Sequence, residues 1–415
     1  MSDKPMNEVP NNALVAWVDA RLPVMKFWNE HLAKYYAPKN FNFWYYFGSL
    51  ALLVLVNQLL TGIWLTMNYN PSAEGAFASV EYIMRDVPFG WLLRYMHSTG
   101  ASAFFIVVYL HMFRALLYGS YRKPRELVWL LGCGLYLCLM AEAFFGYLLP
   151  WGQMSFWGAQ VITSLFGSVP LIGPEIMEWI RGDFTVSGVT LTRFFAMHVV
   201  LVPLLLLGLV GLHVLALHEV GSNNPDGIEI KAHKNKDGIP LDGIPFHPYY
   251  TVKDLVGVAV FLFVFCVVIF FYPEGGGLFL EGPNFQTADA LKTPEHIAPV
   301  WYMTPYYAIL RAVPNKLLGV MAMAAAIAVL FVLPWLDRSP VASIRYKGPL
   351  YKGALFIFTV SFIALGYLGL QPPSPLRMVA AQVFGVLYFL FFLLMPIYSK
   401  IDSHKRVPAR VTYHG

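Results

Sequence analysis

Eight stretches of this chain are long enough and apolar enough to cross a lipid bilayer as helices, at 43–67, 95–113, 127–149, 194–217, 255–272, 317–336, 353–370 and 378–399. A hydrocarbon core about 30 Å thick needs about 20 such residues at a helical rise of about 1.5 Å each. Inside the bilayer every backbone N–H and C=O must be satisfied by the protein itself, so runs of this length are helices. Glu142 is the one formally charged residue within them. A chain that is 57% hydrophobic and 13% charged cannot cover a water-soluble globule, and it is too apolar to be disordered. The expected fold is an all-α integral membrane protein with eight transmembrane helices.

Eight crossings put both termini on one side. The N-terminal segment, every second loop and the C-terminal tail together hold 21 of the 29 Lys and Arg, including Lys26, Lys34, Arg122, Lys123, Arg345 and Lys405. That bias marks the cytoplasmic face, so both termini are expected there. On the opposite face the loops 150–193 and 273–316 are too long to be connectors and too rich in Trp, Pro and apolar residues to be disordered, so they are expected to fold over a site. Cys133, Cys138 and Cys266 fall in apolar runs without CxxC or CxxCH spacing, against a disulfide, a zinc site or a covalently attached haem. The polar N-terminus lacks a signal-peptide pattern, so no cleaved leader is expected. No basic block is interleaved with aromatics, so no nucleic-acid partner is expected.

Four histidines lie inside apolar spans: His97 and His111 in the second, His198 and His213 in the fourth. A lone intramembrane histidine is commonly a packing residue, but two pairs on two helices at matching intervals point to ligands. Fourteen residues rise about 21 Å and return within roughly 40° of the same helix face. Both helices run from the long-loop face to the cytoplasm, so His97 pairs with His198 near one surface and His111 with His213 nearer the other. His218 matches neither the face nor the depth of His111 and is rejected as a ligand. Two bis-histidine sites stacked through a membrane suit a low-spin, six-coordinate haem that carries electrons, whereas two histidines alone leave a bare metal short of ligands. Gly48 and Gly62 in the first span, and Gly132 and Gly146 in the third, are also fourteen apart. They are expected to let a flat macrocycle edge approach the backbone, with small-residue helix packing as the alternative. Arg94 and Arg114, each three residues from a ligand, are candidates to neutralise haem propionates or to serve as interfacial charges.

Several motifs make the chain similar to cytochrome b of the quinol:cytochrome c oxidoreductase (bc1) family over nearly its whole length. They are FGSL at 47–50, QLLTG at 58–62, RYMHSTGAS at 94–102, GYLLPWGQMSFWGA at 146–159, TLTRFFAMH at 190–198, LHEVGSNNP at 217–225, FHPYYTVKD at 246–254 and AILRAVPNK at 308–316. The eight-span chain resembles the fused, bacterial respiratory form, in which a haem-binding four-helix bundle is followed by C-terminal helices. The resemblance implies a low-potential and a high-potential haem b, ubiquinol and ubiquinone as substrates, a Rieske iron–sulfur protein and a cytochrome c-type subunit as partners, and a homodimer among the lipids of the bacterial inner membrane. It divides the chain into a cytoplasmic segment (1–42), the bundle (43–225, including loop 150–193), a cytoplasmic linker (226–254), the C-terminal helices (255–400, including loop 273–316) and a tail (401–415).

Quinol oxidation needs an apolar pocket with proton acceptors, expected under the long loops beside His97 and His198, from Tyr147, Glu295, Pro299, Trp301 and Tyr302. Quinone reduction is expected near His111 and His213, with His218 and Asp254 supplying protons and Ser49, Ser222 and Lys253 assisting; solvated helix ends are the alternative for this set. Three departures stand out. His198 and His213 are fifteen apart instead of fourteen, and a kink at Pro203 is expected to absorb the extra rotation. Val300 stands where the family presents a glutamate, and Glu295, in the turn 293–296, is expected to replace it as proton acceptor. Glu142 should face the site near the quinol-oxidising side, partnered or protonated, with a role in hydration or proton exit. A transporter with a histidine relay would need inverted repeats, which are not evident by eye. A haem b subunit of another membrane oxidoreductase would need fewer helices.

Overall fold

The computed structural model describes residues 12–25 and 35–413, so Lys26 and Lys34 of the charge count lie outside it. Among the described residues the helices run α1 (Ala13–Asp19), α2 (Tyr46–Thr66), α3 (Ala76–Arg85), α4 (Gly90–Tyr118), α5 (Glu126–Leu148), α6 (Gln153–Phe166), α7 (Gly173–Arg181), α8 (Gly188–Val220), α9 (Thr251–Phe271), α10 (Thr304–Ala312), α11 (Lys316–Leu336), α12 (Pro349–Leu370), α13 (Pro375–Leu393) and α14 (Met395–Ile401). Eight of them, α2, α4, α5, α8, α9, α11, α12 and α13, are long and apolar enough to span a membrane. The expected spans at 95–113 and 194–217 prove longer, 29 and 33 residues. Local cap geometry marks where these two helices start or stop outside the apolar stretch. Ser187 and Thr190 form a capping box that starts α8 in the loop, and Gly119 at φ 68° closes α4 in the left-handed region.

Within α8 the residues Met197–Leu201 form a π-helical turn, in which the Val202 N–H reaches back five residues to the Met197 carbonyl. A π turn accommodates one residue more than an α turn. The extra residue between His198 and His213 is therefore taken up here and not by a kink at Pro203. The proline sits where the α pattern resumes, at a position that tolerates a missing N–H.

Helix α2 packs along α4, and α5 along α8, with α9 against α2 and α4. A continuous apolar core joins this group to α10–α13 through Phe105, Tyr136, Tyr302, Phe358 and Tyr388. At one end the N-terminal strand, the 221–250 linker, the 337–348 segment and the tail converge on the buried Asp226. Its carboxylate accepts from Asn40 (3.0 Å), Tyr346 (2.7 Å), Arg345 (3.0 Å) and the Thr412 N–H (2.7 Å). A two-stranded antiparallel ribbon, β1 (Tyr36–Pro38) with β2 (Gly243–Pro245), is a small addition to the all-helical expectation.

At the other end the two long loops hold each other. Gln153 N–H donates to the Gln286 carbonyl, Ala288 N–H to that of Trp151, and Asn284 Oδ1 accepts from both Ser155 N–H (2.7 Å) and Ser155 Oγ (3.1 Å). That last bond caps the first turn of α6, so the 281–286 turn is fixed against the end of α5.

Candidate functional site

Helices α4 and α8 bring their histidines together in two pairs. The His97 and His198 ring centroids lie 6.0 Å apart, and those of His111 and His213 lie 6.4 Å apart. A metal bound by both rings at about 2.0 Å per bond, with each centroid about 1.1 Å behind its nitrogen, sets the centroids about 6.2 Å apart. Both separations suit one bridging metal.

Each histidine is backed by one of the four glycines from a neighbouring helix. A Cβ on Gly62 would stand 3.1 Å from His97 Cε1, on Gly48 3.3 Å from His111 Cε1, on Gly132 3.3 Å from His213 Cε1, and on Gly146 2.4 Å from His198 Cε1. The first atoms such a Cβ meets therefore belong to an imidazole, so these glycines make room for the histidine rings. The pairing also reports the register of α8. Its histidines are fifteen apart, yet both meet glycines fourteen apart on α5, because the π turn that begins around His198 takes up the extra residue.

The ring nitrogens facing away from the pair have different surroundings. His97 Nδ1 lies 2.9 Å from Thr61 Oγ1. His198 Nδ1 lies 2.9 Å from the Glu142 carbonyl and 3.0 Å from Glu142 Oε1, which supplies the partner that residue needed. The Nδ1 atoms of His111 and His213 are buried without a hydrogen bond of sound geometry among the described residues. Arg94 lines the cavity at the His97/His198 level. Arg114 sits over the Tyr45 ring, 4.9 Å from its centroid, and its buried Nε lacks a hydrogen bond of sound geometry among the described residues. A buried guanidinium three residues from His111 suits an anionic group such as a propionate. Paired rings, glycine clearances and this donor together fit a b-type haem at each level.

The cavity around His97 and His198 continues under the long loops to Tyr147, Leu280, Asn284, Val300 and Tyr302. Tyr302 is buried and stacks on Phe105 at 3.8 Å, while Trp301 donates from Nε1 to Ser102 Oγ at 3.0 Å. Pro299 is half-buried ahead of them and sets the extended entry to Val300. Glu295 is exposed and does not line this cavity. Its neighbour His296 bonds the Leu370 carbonyl at the end of α12 (3.0 Å), which anchors the 293–296 turn away from the cavity. The replacement acid expected there is therefore not at the site.

A different acid lies beside the cavity wall, near Tyr147. Glu281 is half-buried between cavity-lining Leu280 and Asn284, and Asn284 Nδ2 donates to its Oε2 at 3.2 Å. Burial pushes its carboxyl up to about 7, against opposing hydrogen bonds. It lies close enough to Tyr147 and Tyr302 to couple to both electrostatically. Tyr147 Oη is nonetheless buried without a well-formed hydrogen bond among the described residues. The sequence does not single out Glu281; the available signal is the glutamate missing at Val300 together with several acids in the same loop.

Toward the opposite end the expected residues form two groups. His218 stacks on Tyr35 (4.7 Å between centroids), whose hydroxyl also meets Ser222 Oγ at 3.0 Å. Asp254, in the first turn of α9, is half-buried beside Ser49, whose hydroxyl also bonds the Tyr46 carbonyl. Lys253 is committed to the Phe41 carbonyl (2.6 Å) and to the Tyr46 and Tyr250 rings, so it ties the N-terminal segment to α9.

Two family models match the chain: "Cytochrome b/b6/petB" over residues 32–221 and "Cytochrome b(C-terminal)/b6/petD" over residues 287–389. A cytochrome b of Allochromatium vinosum is 64% identical over 96% of this chain and 98% of its own length. One from Rhodospirillum rubrum is 49% identical, covering 97% of this chain and 96% of that protein. Among solved structures, a chain of a hyperthermophilic respiratory Complex III superposes with a TM-score of 0.86 at 42% identity, covering 94% of this chain and 99% of that one.

Proposed function

This chain belongs to the cytochrome b family, and on that premise we propose that it is the di-haem electron-transfer subunit of a bc1-type quinol:cytochrome c oxidoreductase. The observation that carries the reading is the pair of histidine pairs, each at a metal-bridging separation and each ring cleared by its own glycine. His97 with His198, and His111 with His213, would hold the two groups, with Arg94 and Arg114 beside their propionates. Bound this way, b-type haem supplies a low-spin one-electron carrier with no open position for oxygen.

Quinol oxidation is assigned to the long-loop side, read as periplasmic. There Tyr147 and Tyr302 position the quinol, and Glu281 takes the place of the acid absent at Val300. An apolar pocket with one half-buried carboxyl suits removal of a hydroxyl proton, because a base is most effective with an affinity near the working pH. Quinone reduction is assigned to the opposite, Lys/Arg-rich side, where His218 and Asp254 provide protons and Ser49 and Ser222 orient the ring. Lys253 has a structural role there. Oxidation on one face and reduction on the other give net outward proton translocation, with a Rieske iron–sulfur protein and a cytochrome c-type subunit accepting electrons. The working unit is a homodimer in a bacterial inner membrane with cytoplasmic termini.

A spectrally resolved redox titration of the purified complex tests this. Two b-type signals of different midpoint potential are expected, and absence of haem would end the reading.

A further inference from the structure

Glu142 is a carboxylate in the middle of an apolar helix, and the electron-transfer reading leaves it without a task. It lies one turn before Gly146 on α5, hence on the same face and at the height of His198 on the adjacent α8. The missing side chain at Gly146 lets the His198 ring press against α5. The ring's outer edge then meets residue 142 twice, with Nδ1 at 2.9 Å from its carbonyl oxygen and 3.0 Å from carboxylate Oε1. The other oxygen, Oε2, is buried without a hydrogen bond among the described residues. Within the same set Glu142 pairs with no lysine or arginine, so the histidine is its counterpart in a region where a lone carboxylate is costly.

We propose that Glu142 is a positioning residue that grips His198 through its Nδ1–H and holds the redox potential of the His97/His198 site below what a neutral neighbour would allow. The proposal rests on the reading of these two histidines as axial ligands. A histidine that binds metal through Nε2 keeps its proton on Nδ1; here that N–H is hydrogen-bonded to the Glu142 carbonyl, which fixes the tautomer and the ring orientation, while the carboxylate 3.0 Å away sets a negative charge against the same nitrogen. It also draws the imidazole toward imidazolate character, which makes it a more basic ligand. A more basic ligand stabilises the oxidised metal over the reduced one, and the potential falls.

The chain carries its own contrast. His97 meets the Thr61 hydroxyl, a neutral partner, and the Nδ1 atoms of His111 and His213 lack a carboxylate among the described residues. The effect is therefore confined to one of the two sites, the one that shares its cavity with Tyr147 and Tyr302. A depressed potential there makes onward transfer to the deeper site downhill, so Glu142 contributes to the direction of flow through the pair.

The test is a spectrally resolved redox titration, with low-spin ferric EPR, of the whole complex carrying Glu142→Gln or Glu142→Leu. Glutamine keeps the size and an acceptor oxygen but removes the charge; leucine removes both. In both variants one b-type midpoint should shift upward, at least as far with leucine as with glutamine. The EPR signal of that haem should move with it, while the second haem stays in place and haem content is retained. Unchanged midpoints and EPR signals at full haem content would overturn the proposal. So would equal shifts of both haems, which would indicate a diffuse field, or loss of that haem from both variants, which would leave a structural role. A wild-type complex without haem would fail the functional reading instead, and the two failures are distinguishable.

Discussion

Alanine at position 146 isolates what the glycines do. Its Cβ would stand 2.4 Å from Cε1, 2.8 Å from Nδ1 and 2.9 Å from Nε2 of His198. Packed carbon atoms sit about 3.5–4.0 Å apart, so the ring must withdraw by about 1 Å. A withdrawal of that size breaks a ligand bond only about 2.0 Å long, or else prises α5 from α8. Overpacking of this kind costs roughly 1–3 kcal/mol, against a helix-propensity gain of about 1 kcal/mol for glycine to alanine. Losing the ligand geometry adds to the penalty, and each 1.4 kcal/mol is about tenfold in affinity. Haem content per chain, with reduced-minus-oxidised spectra of membranes, reads the outcome. Gly146→Ala should lose most of one b-type signal, Gly62→Ala (3.1 Å) less, and Gly48→Ala and Gly132→Ala (3.3 Å) least. Gly134→Ala is the control on the same helix, because a Cβ there meets nothing within 4 Å. Full haem content in Gly146→Ala, or equal losses at 134 and 146, would refute the reasoning.

His213→Leu should abolish one b-type signal while His218→Leu keeps both; the reverse, read by the same difference spectra, would show the wrong ligand. Glu281→Gln should lower steady-state quinol oxidation by an order of magnitude or more, whereas exposed Glu295→Gln should leave turnover near wild type. Because burial raises the Glu281 carboxyl to about 7, the accepting carboxylate forms as pH rises through that value. The oxidation rate should therefore climb across that window in wild type and flatten in Glu281→Gln. Asp337 accepts from Lys347 at 2.6 Å and Tyr121 at 2.7 Å in a buried cluster, so Asp337→Leu strands the lysine at a cost of about 3–5 kcal/mol. That loss should appear as lower thermal stability of the detergent-solubilised complex.

The eight spans were legible because bilayer thickness imposes a length and a composition on any helix that crosses it. The histidine and glycine intervals were legible for a related reason, since positions that share a helix face recur at fixed spacing. The helix ends were not, because the Ser187 and Thr190 side-chain caps and the left-handed Gly119 act at single residues and barely change hydropathy. Glu281 and Glu295 looked alike in sequence, nineteen and five residues before Val300. Their difference comes from long-range bonds, Asn284 with Ser155 and His296 with Leu370, which hold one acid at the cavity and turn the other to solvent. The role of the glycines was half legible: their spacing announced the site, but only the packed helices show which imidazole stands against each of them.

The π turn at Met197–Leu201 bears on how such chains tolerate insertions and deletions over generations. A residue gained inside a transmembrane helix would normally rotate everything after it by about 100° and carry it about 1.5 Å along the axis, turning the second ligand away from its partner. Confined to one widened turn, the gain is dissipated before the helix reaches His213, and the remainder of the span is inherited in its old register. Two chains with different counts between their ligands can thus build the same pair of sites. Aligning them without a gap inside the helix would assign every later position of that span to the wrong face.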